Sequence, residues 1–318
     1  MSKSEKRPYP KNFEEFLNWF STEDECLSYL EKIRWPDGIR CSSCSGESGW
    51  RTERKLWHCS SCHHQISVTA GTVFEGSRKS LRLWFHVMWL MMAHKTGLSA
   101  QGLCDVYEFG SYQTAWAWLH KLRSVMIRQG RERLQGRVEV DEAYIGGVRK
   151  GARGRGAEGK TLVMVAVEGE RGQRLGRVRL RCIGTITQQA AESFITDYIE
   201  PGSQLVSDGL NAYDHIEELG YVHNRNVLST GGDDALAQLD HVHLVISLAK
   251  RWLDGTHHGA VKPSHLQAYL DEFAFRFNRR LSTHRGMLFY RLVLQSVTTR
   301  PLSTKDLYKI KTLDVGGT

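Results

Sequence analysis

Four cysteines carry the plainest chemistry in the sequence. Cys41-Ser-Ser-Cys44 and Cys59-Ser-Ser-Cys62 are two CxxC pairs separated by fourteen residues. Each pair offers two thiolates at one edge of a tetrahedron, and two pairs close a four-sulfur site around zinc with no position left open. The spacing therefore predicts a structural Zn²⁺ site, with an iron–sulfur or redox site as the alternative.

Two aspartates predict a second kind of site. Asp141 lies inside the alternating stretch VEVDEAYIGG, where an acid is poorly placed unless its face of the strand meets a cation. Asp208 ends the short stretch QLVSD and precedes a glycine, a position where aspartate also forms turns. Each aspartate alone is a weak signal, but the pair offers the carboxylate oxygens that Mg²⁺ prefers. Glu142, next to Asp141, must point to the opposite face of the strand and is therefore excluded from this site.

The stretch LDHVHLVISLAKRW, residues 239–252, reads as an apolar helix with polar residues at its start. Asp240, His243 and Lys250 share one side of it, because offsets of three and seven residues return to the same face of an α-helix. His241 lies off that face and is interpreted as structural. A neutral imidazole can bind a divalent metal, although it brings no charge and suits Mn²⁺ or softer ions better than Mg²⁺.

The elements around these residues follow an order that brings the acids together. Strands are predicted from residue 137, a helix over 187–199, a strand over 204–208, and mostly helices thereafter, with 264–280 clearly amphipathic. A hairpin sheet with an acid on its first strand, a helix, a strand ending in an acid and a helix with a polar face describe an RNase H-like domain. In that architecture two divalent ions about 4 Å apart support in-line phosphoryl transfer to a water or a 3′-hydroxyl.

Helices dominate the segment before the strands. Two short helices are predicted over 12–33, one over 81–97 and one over 114–129. Residues 97–126 fit a helix-turn-helix, with Ser99 capping the first helix and Gly110 in the turn. Trp116 and Trp118 in the second helix are expected in the core rather than stacked on bases.

The predicted fold class is multidomain α+β. Residues 1–70 would hold the N-terminal helices and the zinc ribbon, 71–133 a helical, helix-turn-helix-like DNA-binding segment, 134–284 an RNase H-like α/β catalytic domain, and 285–318 a C-terminal tail. The count of seven cysteines is odd and argues against a disulfide framework. Cys26, Cys104 and Cys182 stand in apolar surroundings and are expected to be buried.

Several stretches together resemble one family over nearly the whole chain. They are RWPDGIRCSSC, HCSSCHHQISVTAGTVFEGS, TAWAWLHKLR, VEVDEAYIGG, VSDGLNAY, LAKRW with DGTHHGAV, and YLDEFAFRFNRR. The sequence resembles the zinc-ribbon insertion-sequence transposases of the DDE type, the ISXO-like group. The resemblance implies that Asp141 and Asp208 are the first two catalytic acids of a metal-dependent DNA transposase.

The third catalytic position departs from the family pattern. The family commonly carries an Asn, a Glu three positions later and a Lys seven positions after the Glu, which correspond here to Asp240, His243 and Lys250. Three interpretations stay open: His243 is a working third metal ligand, Asp240 supplies the missing charge, or the element is weakened or inactive. The resemblance implies that Lys250 contacts a phosphate of the DNA end.

Other polar residues have simpler interpretations. Glu272 is an alternative acid on a later helix, but pairing with Arg276, Arg279 or Arg280 is its usual role. Five further histidines flank the predicted sites: His58, His63, His64, His257 and His258. The first three, beside the zinc ligands, are expected to face solvent or phosphate. The last two could join His243 at a metal, although a phosphate contact from a loop is favoured.

The charge of the chain favours a polyanionic partner. Lys and Arg number 43 against 35 Asp and Glu, a formal net charge of +8. The Gly-rich residues 146–160 concentrate five basic side chains, Arg149, Lys150, Arg153, Arg155 and Lys160. Such a segment builds no core, so it is predicted to be a flexible basic loop that either follows DNA phosphates or is a solvated hairpin tip.

The leading hypothesis is a DNA transposase that binds the terminal inverted repeats of its element, cuts there and joins the 3′ ends to target DNA. It would use structural Zn²⁺ and two Mg²⁺ or Mn²⁺, and act on double-stranded DNA as a homodimer or higher assembly. The alternatives are a catalytically decayed transposase that only binds DNA, and a zinc-ribbon regulator. No secretory signal or membrane span is predicted, so we expect a cytoplasmic bacterial protein, nucleoid-associated when bound to DNA.

Overall fold

The computed structural model describes residues 7–128, 130–146, 160–170, 172–226, 239–258, 261–299 and 302–309. The chain forms two compact units. The first comprises residues 1–126 and 281–307, and the second comprises residues 127–280 and 308–318. Within the described ranges, no helix is both long and apolar enough to cross a lipid bilayer.

Two short helices open the first unit, α1 (Phe13–Trp19) and α2 (Glu23–Arg34). The start of α2 is fixed by a capping box: the Thr22 hydroxyl accepts the N–H of Glu25, and the Glu25 carboxylate accepts the N–H of Thr22. A small antiparallel sheet follows, with strands β1 (Gly49–Arg51), β2 (Trp57–Cys59) and β3 (Gln65–Ile66) in that order. The first cysteine pair precedes β1, and the second begins at Cys59, the last residue of β2.

The remaining helices of the first unit are α3 (Leu81–Ala93), α4 (Ala100–Val106) and α5 (Tyr112–Ser124). Their N-termini are capped by the hydroxyls of Ser80, Ser99 and Ser111. The helix α3 ends four residues earlier than predicted because His94 is extended, and α5 begins two residues earlier because Ser111 provides the cap. The helices α4 and α5 are joined through Gly110, whose φ of +74° favours glycine.

The core of the first unit is strongly aromatic. Trp118 of α5 stacks on Trp84 of α3 with ring centroids 3.6 Å apart, in agreement with its predicted core position. The helix α9 (Arg285–Thr298) occupies part of the stretch assigned to a C-terminal tail, and its Phe289 contacts Phe16 and Phe85. Residues 285–298 are therefore helical and packed with the N-terminal helices. A short helix, α10 (Thr304–Lys309), ends the described chain.

The second unit is built on a five-stranded sheet. Its strands are β4 (Arg137–Ile145), β5 (Thr161–Glu168), β6 (Val178–Ile183), β7 (Gln204–Asp208) and β8 (Val222–Asn226). Their order across the sheet is β6-β5-β4-β7-β8. The first three strands pair antiparallel, whereas β7 pairs parallel with both β4 and β8. The strands that carry the two aspartates are therefore parallel neighbours.

Helices cover both faces of this sheet. On one face α6 (Gln188–Tyr198) packs through Phe194 in one apolar cluster with Val138 and Val140 of β4 and Met164 and Ala166 of β5. On the other face α7 (Asp240–His257) and α8 (Pro263–Phe277) pack against odd-numbered residues such as Ala143 and Val165. Strand alternation sends successive side chains to opposite faces, so Asp141 belongs to the α7 side.

Side chains on and just after α8 cover the edge of the sheet formed by β6. Gln267 accepts the N–H of Cys182 and donates to the carbonyl of Leu180. Asn278, just after α8, accepts the N–H of Val178 and donates to the same residue's carbonyl. These amides satisfy the backbone of the edge strand β6 and hold α8 against it, which blocks pairing with another strand.

Candidate functional site

The four predicted zinc ligands lie together in the first unit. One ligand atom from each of Cys41, Cys44, Cys59 and Cys62 lies within 4.8 Å of all the others. The Sγ–Sγ distances are 3.5 Å between Cys41 and Cys62 and 3.6 Å between Cys44 and Cys59. Zinc–sulfur bonds of ~2.3 Å in a tetrahedron require edges of roughly 3.8 Å. The four sulfurs therefore fit a Zn²⁺ ion in both number and spacing.

The two cysteine pairs have matching backbone geometry. The N–H of Ser45 donates to the Cys41 carbonyl, and the N–H of His63 donates to the Cys59 carbonyl. Ser45 and His63 both have φ of 60°. Backbone N–H groups, first that of Cys62, lower the pKa of the Cys59 thiol to about 6, which favours the thiolate that binds metal. Each pair thus forms the same knuckle around its two sulfurs.

The histidines near the knuckles lie beside the cysteine cluster and are not members of it. His58 stacks on Trp50 with ring centroids 4.5 Å apart, and its Nε2 lies 3.3 Å from Nδ1 of His63. His63 and His64 are exposed, in agreement with the predicted solvent-facing positions.

The two aspartates come together at the ends of their strands. Glu139 of β4 pairs with Val206 of β7, and two residues further along the same register Asp141 lies level with Asp208. Asp208 also makes the turn that its Gly neighbour predicted, because its Oδ1 accepts the N–H of Leu210. The strand pairing therefore builds the predicted pair of acids from residues 67 positions apart in sequence.

The exclusion of Glu142 from this site is wrong. Ligand oxygens of Asp141, Glu142 and Asp208 all lie within 4.8 Å of one another. Strand alternation turns Glu142 to the opposite face, but it lies beyond the last β4–β7 pair, Glu139 with Val206, and its carboxylate stays within reach of the two aspartates. There the buried Tyr213 hydroxyl donates to Glu142 Oε2 at 3.2 Å. The sequence feature that could have indicated Glu142 is its long acidic side chain, placed just beyond the end of a neighbouring strand.

Charge is concentrated among these carboxylates. Burial raises the pKa of Asp141, and the charge of Asp208 raises it further, against the opposing effects of the Glu142 N–H and His243. Burial and the charges of Glu142, Asp141 and Asp208 raise the pKa of Tyr213 well above its ordinary value. The phenol therefore stays protonated and serves as a hydrogen-bond donor.

The helix α7 brings His243 to the acids. Nε2 of His243 lies 3.2 Å from Oδ2 of Asp141, and the histidine side chain is 45% exposed. His243 is not among the three side chains whose ligand atoms lie within 4.8 Å of one another. Asp240, the first residue of α7, is exposed. Burial lowers the pKa of Lys250 and the charge of Asp141 raises it, so this lysine lies within electrostatic reach of the same acids.

Glu139, which the sequence analysis overlooked, anchors α7 to β4. This carboxylate is 2% exposed and accepts hydrogen bonds from Arg137 Nη1 at 2.6 Å and from the N–H of Val242 at 2.9 Å. The N-cap residue of α7 is Leu239, whose side chain cannot accept a hydrogen bond, so Glu139 takes over the cap. His241, interpreted as structural, lies with Nδ1 3.5 Å from Glu139 Oε1. The sequence signal was an acid two residues before Asp141.

Replacing Glu139 with alanine is expected to destabilise the second unit by about 3–5 kcal/mol, because a buried ion pair and a helix cap are lost together. Amide hydrogen exchange at residues 240–246 should accelerate more than exchange in β5. Glu139→Gln keeps an acceptor for the Val242 N–H and should be the milder change. Unchanged exchange at 240–246 in Glu139→Ala would show that the anchor is dispensable.

The alternative acid and the histidine cluster are not supported. Glu272 is fully buried and its Oε1 lies 3.3 Å from Nη1 of Arg276, the helical pairing that was expected for it. His257 is the last residue of α7, and fourteen residues of helix separate it from His243 by about 21 Å. It packs on Trp252 and Tyr269 instead. The alternative prediction, that His257 or its neighbour His258 shares a metal site with His243, is therefore wrong.

The predicted basic loop falls largely beyond the described ranges. Arg149, Lys150, Arg153 and Arg155 lie outside the described residues. Lys160 is described, is exposed and immediately precedes β5. Its charge lowers the pKa of Lys250, so the two ammonium groups lie within electrostatic reach of each other.

Comparison with known proteins assigns family domains to two segments of the chain. Residues 133–278 match the model of the ISXO2-like transposase domain, and residues 21–65 match the transposase zinc-ribbon domain. An uncharacterized protein in transposable element ISH50 of Halobacterium salinarum is 27% identical over 280 residues, covering 82% of this chain and 92% of that protein. The matched ranges include the four cysteines, the three clustered carboxylates, His243 and Lys250.

A solved structure gives a much weaker likeness. It is the cryoEM structure of a simian T-cell lymphotropic virus intasome in complex with PP2A regulatory subunit B56 gamma. The alignment has a TM-score of 0.31 and 11% identity, and covers 58% of this chain and 66% of that chain. The family matches carry the assignment without it. The chain belongs to the insertion-sequence transposases that combine a zinc ribbon with an ISXO2-like transposase domain of the DDE type.

Proposed function

We propose that this protein is an active DNA transposase that cuts at the terminal inverted repeats of its element and joins the 3′ ends to target DNA by transesterification. The observation that carries the proposal is the meeting of Asp141 and Asp208 at the ends of two parallel strands, with His243 of α7 at 3.2 Å. The sheet order, with three antiparallel strands followed by two parallel ones, supports an RNase H-like architecture for this unit.

The donor set fits divalent cations. Carboxylate oxygens are the hard ligands that Mg²⁺ and Mn²⁺ accept, and neighbouring buried carboxylates repel one another unless a cation compensates them. The raised pKa of Asp141 reflects this burial and repulsion. Two such ions, when bound, supply activation of the attacking hydroxyl and stabilisation of the leaving oxygen. Asp141, Asp208 and His243 would hold them, with Asp240 as the alternative third ligand.

Lys250 is proposed to contact a phosphate of the DNA end. It lies two turns beyond His243 on an exposed face of α7 and within electrostatic reach of Asp141. A lysine near the acids can bind a phosphate and so hold the DNA strand without being a metal ligand. The residues Arg149, Lys150, Arg153, Arg155 and Lys160 are proposed to extend that phosphate contact.

The first unit is proposed to recognise the element ends through the zinc ribbon and a helix-turn-helix formed by α4 and α5. A recognition helix reads bases with its N-terminal residues. At the start of α5, Tyr112, Gln113 and Thr114 are exposed, whereas Trp118 and Arg123 are buried. We therefore assign base contacts to the first turn of α5. The division at residues 70, 133 and 284 remains our proposed domain organisation.

Assembly on DNA follows from the reaction. Joining two element ends to one target requires both ends in one complex, so a homodimer or higher assembly on double-stranded DNA is proposed. The place of action is the bacterial cytoplasm, on the nucleoid.

A catalytically decayed transposase that only binds DNA is the second candidate, favoured by the imidazole that stands where the family carries an acid. An assay of end cleavage distinguishes the active from the decayed transposase. It uses DNA fragments that carry the sequences on either side of the gene, in Mg²⁺ and in Mn²⁺. We expect wild-type cleavage, stronger in Mn²⁺ than in Mg²⁺ because the third ligand is an imidazole. His243→Glu should shift the preference towards Mg²⁺, and Asp240→Ala should leave it unchanged.

Two outcomes of that assay would contradict the proposal. A wild-type protein that cleaves in neither metal, with activity gained in His243→Glu, identifies a decayed element. Full activity in His243→Ala removes His243 from the proposed ligand set.

A further inference from the structure

Glu142 stands in the carboxylate cluster although neither the family pattern nor strand alternation puts it there. One of its oxygens lies within 4.8 Å of ligand oxygens of both Asp141 and Asp208. His243 lies 3.2 Å from Asp141, is 45% exposed and is not a member of this group. The group with the spacing of a metal-binding set therefore consists of three carboxylates, and the imidazole lies at its side.

One short segment carries Asp208 and, through Tyr213, also contacts Glu142. Asp208 ends β7, and the turn that follows leads within five residues to Tyr213, which is 1% exposed. The Tyr213 hydroxyl donates to Glu142 Oε2 at 3.2 Å, and the turn is fixed by the Leu210 N–H on Asp208 Oδ1 at 3.1 Å. Tyr213 therefore holds the Glu142 carboxylate by a hydrogen bond from the same segment that carries Asp208.

Glu142 would bring to this site a charge and a ligand type that His243 lacks. Two aspartates bring two negative charges, and a neutral imidazole adds none. Glu142 adds a third charge and a hard oxygen, which suit Mg²⁺ and Mn²⁺ better than a nitrogen ligand does. The acid missing from position 243 is thus present in space, supplied by β4 instead of α7.

We propose that Glu142 is a third carboxylate ligand of the divalent-metal site, in addition to Asp141, Asp208 and His243, with Tyr213 as its positioning residue. This inference rests on the proposed function, since it names a ligand of the same site. It also explains how a chain without the family's usual third acid keeps a full carboxylate set.

The test is Mn²⁺ binding to the zinc-loaded full chain, measured by calorimetric titration. Glu142→Gln removes the charge but keeps an acceptor for Tyr213, and should weaken Mn²⁺ binding by at least about tenfold. Tyr213→Phe should also weaken binding, and the double variant should bind no worse than Glu142→Gln alone, because Tyr213 acts through Glu142. His243→Ala should change affinity less than Glu142→Gln does.

The matched control is Glu217→Gln, an exposed acid of the same unit, which should leave Mn²⁺ affinity unchanged. Asp208→Asn distinguishes a failure of the Glu142 assignment from a failure of the proposed function. If it abolishes Mn²⁺ binding while Glu142→Gln binds as the wild type does, the assignment of Glu142 is wrong and the proposed function stands. If the wild type binds no Mn²⁺, or Asp208→Asn binds it normally, the proposed function fails and this inference fails with it.

Circular dichroism of each variant before Mn²⁺ is added distinguishes lost ligation from lost folding. Should Glu142→Gln prove misfolded, Glu142→Asp provides the second variant. It retains the charge on a shorter side chain that cannot reach the cluster from the same backbone position, so weakened Mn²⁺ binding supports the assignment. Wild-type affinity in a folded Glu142→Asp protein overturns it.

Discussion

Alanine at Asp208 or Asp141 is expected to reduce DNA-end cleavage by at least about 10³-fold while leaving DNA binding intact. The two carboxylates lie level on β7 and β4, and their oxygens lie within 4.8 Å of each other. Removing either takes away one of the proposed carboxylate ligands. DNA affinity should not fall, because a negative charge near the phosphates is removed.

The double variant should be no less active than either single variant, since residues that act as one unit lose their effect together. Glu217→Ala, an exposed acid on the same unit, is the matched control and should cleave as the wild type does. Wild-type cleavage by Asp208→Ala, or a parallel loss of DNA binding, would contradict a role for the pair in metal-dependent chemistry.

Loss of zinc is expected to unfold the ribbon and to abolish recognition of the element ends. The ribbon's apolar cluster consists of Cys41, Trp57 and Cys59 with Ile39 and Ile66 packed against it, and two of these residues are zinc ligands. So small a core cannot fold without the metal, whose binding contributes roughly 10 kcal/mol or more in structural sites of this kind. Cys59→Ala should contain no zinc and show fast amide exchange in β1, β2 and β3.

Cys26→Ala is the control for this experiment. Cys26 is a fully buried thiol of α2 that lies outside the four-cysteine cluster, so it is not expected to bind the metal. Its replacement should leave the zinc content at one ion per chain. A protein that keeps protected ribbon amides after zinc is chelated would contradict a structural role for the metal.

The sequence predicted the parts of the fold that depend on local pattern. The CxxC spacing predicted the four-sulfur cluster, and serines before apolar runs predicted helix starts such as that at Ser99. The transposase family was recognised from stretches spread along the chain, and the family matches confirm it. The strand positions of Asp141 and Asp208 were read correctly because alternation and strand ends are local properties.

The features that the sequence could not predict depend on contacts between residues that are far apart in the chain. Alternation excluded Glu142 because it turns this residue to the opposite face, but the longer side chain still brings a carboxylate oxygen within 4.8 Å of the Asp141 and Asp208 oxygens. Glu139 was overlooked because its partner, the N–H of Val242, lies 103 residues away. The packing of residues 285–298 with α2 and α3 is likewise a long-range contact that helical periodicity does not specify.

The catalytic competence of this chain is tested most directly by strand transfer. The wild-type protein, loaded with zinc, is incubated with Mn²⁺, a supercoiled target plasmid and DNA whose 3′ ends carry the flanks of the coding sequence. We expect covalent joining of those 3′ ends to the plasmid by the wild type and none by Asp208→Ala. A wild-type protein that binds both this DNA and Mn²⁺ yet produces no joined DNA would contradict the proposal that it is an active transposase.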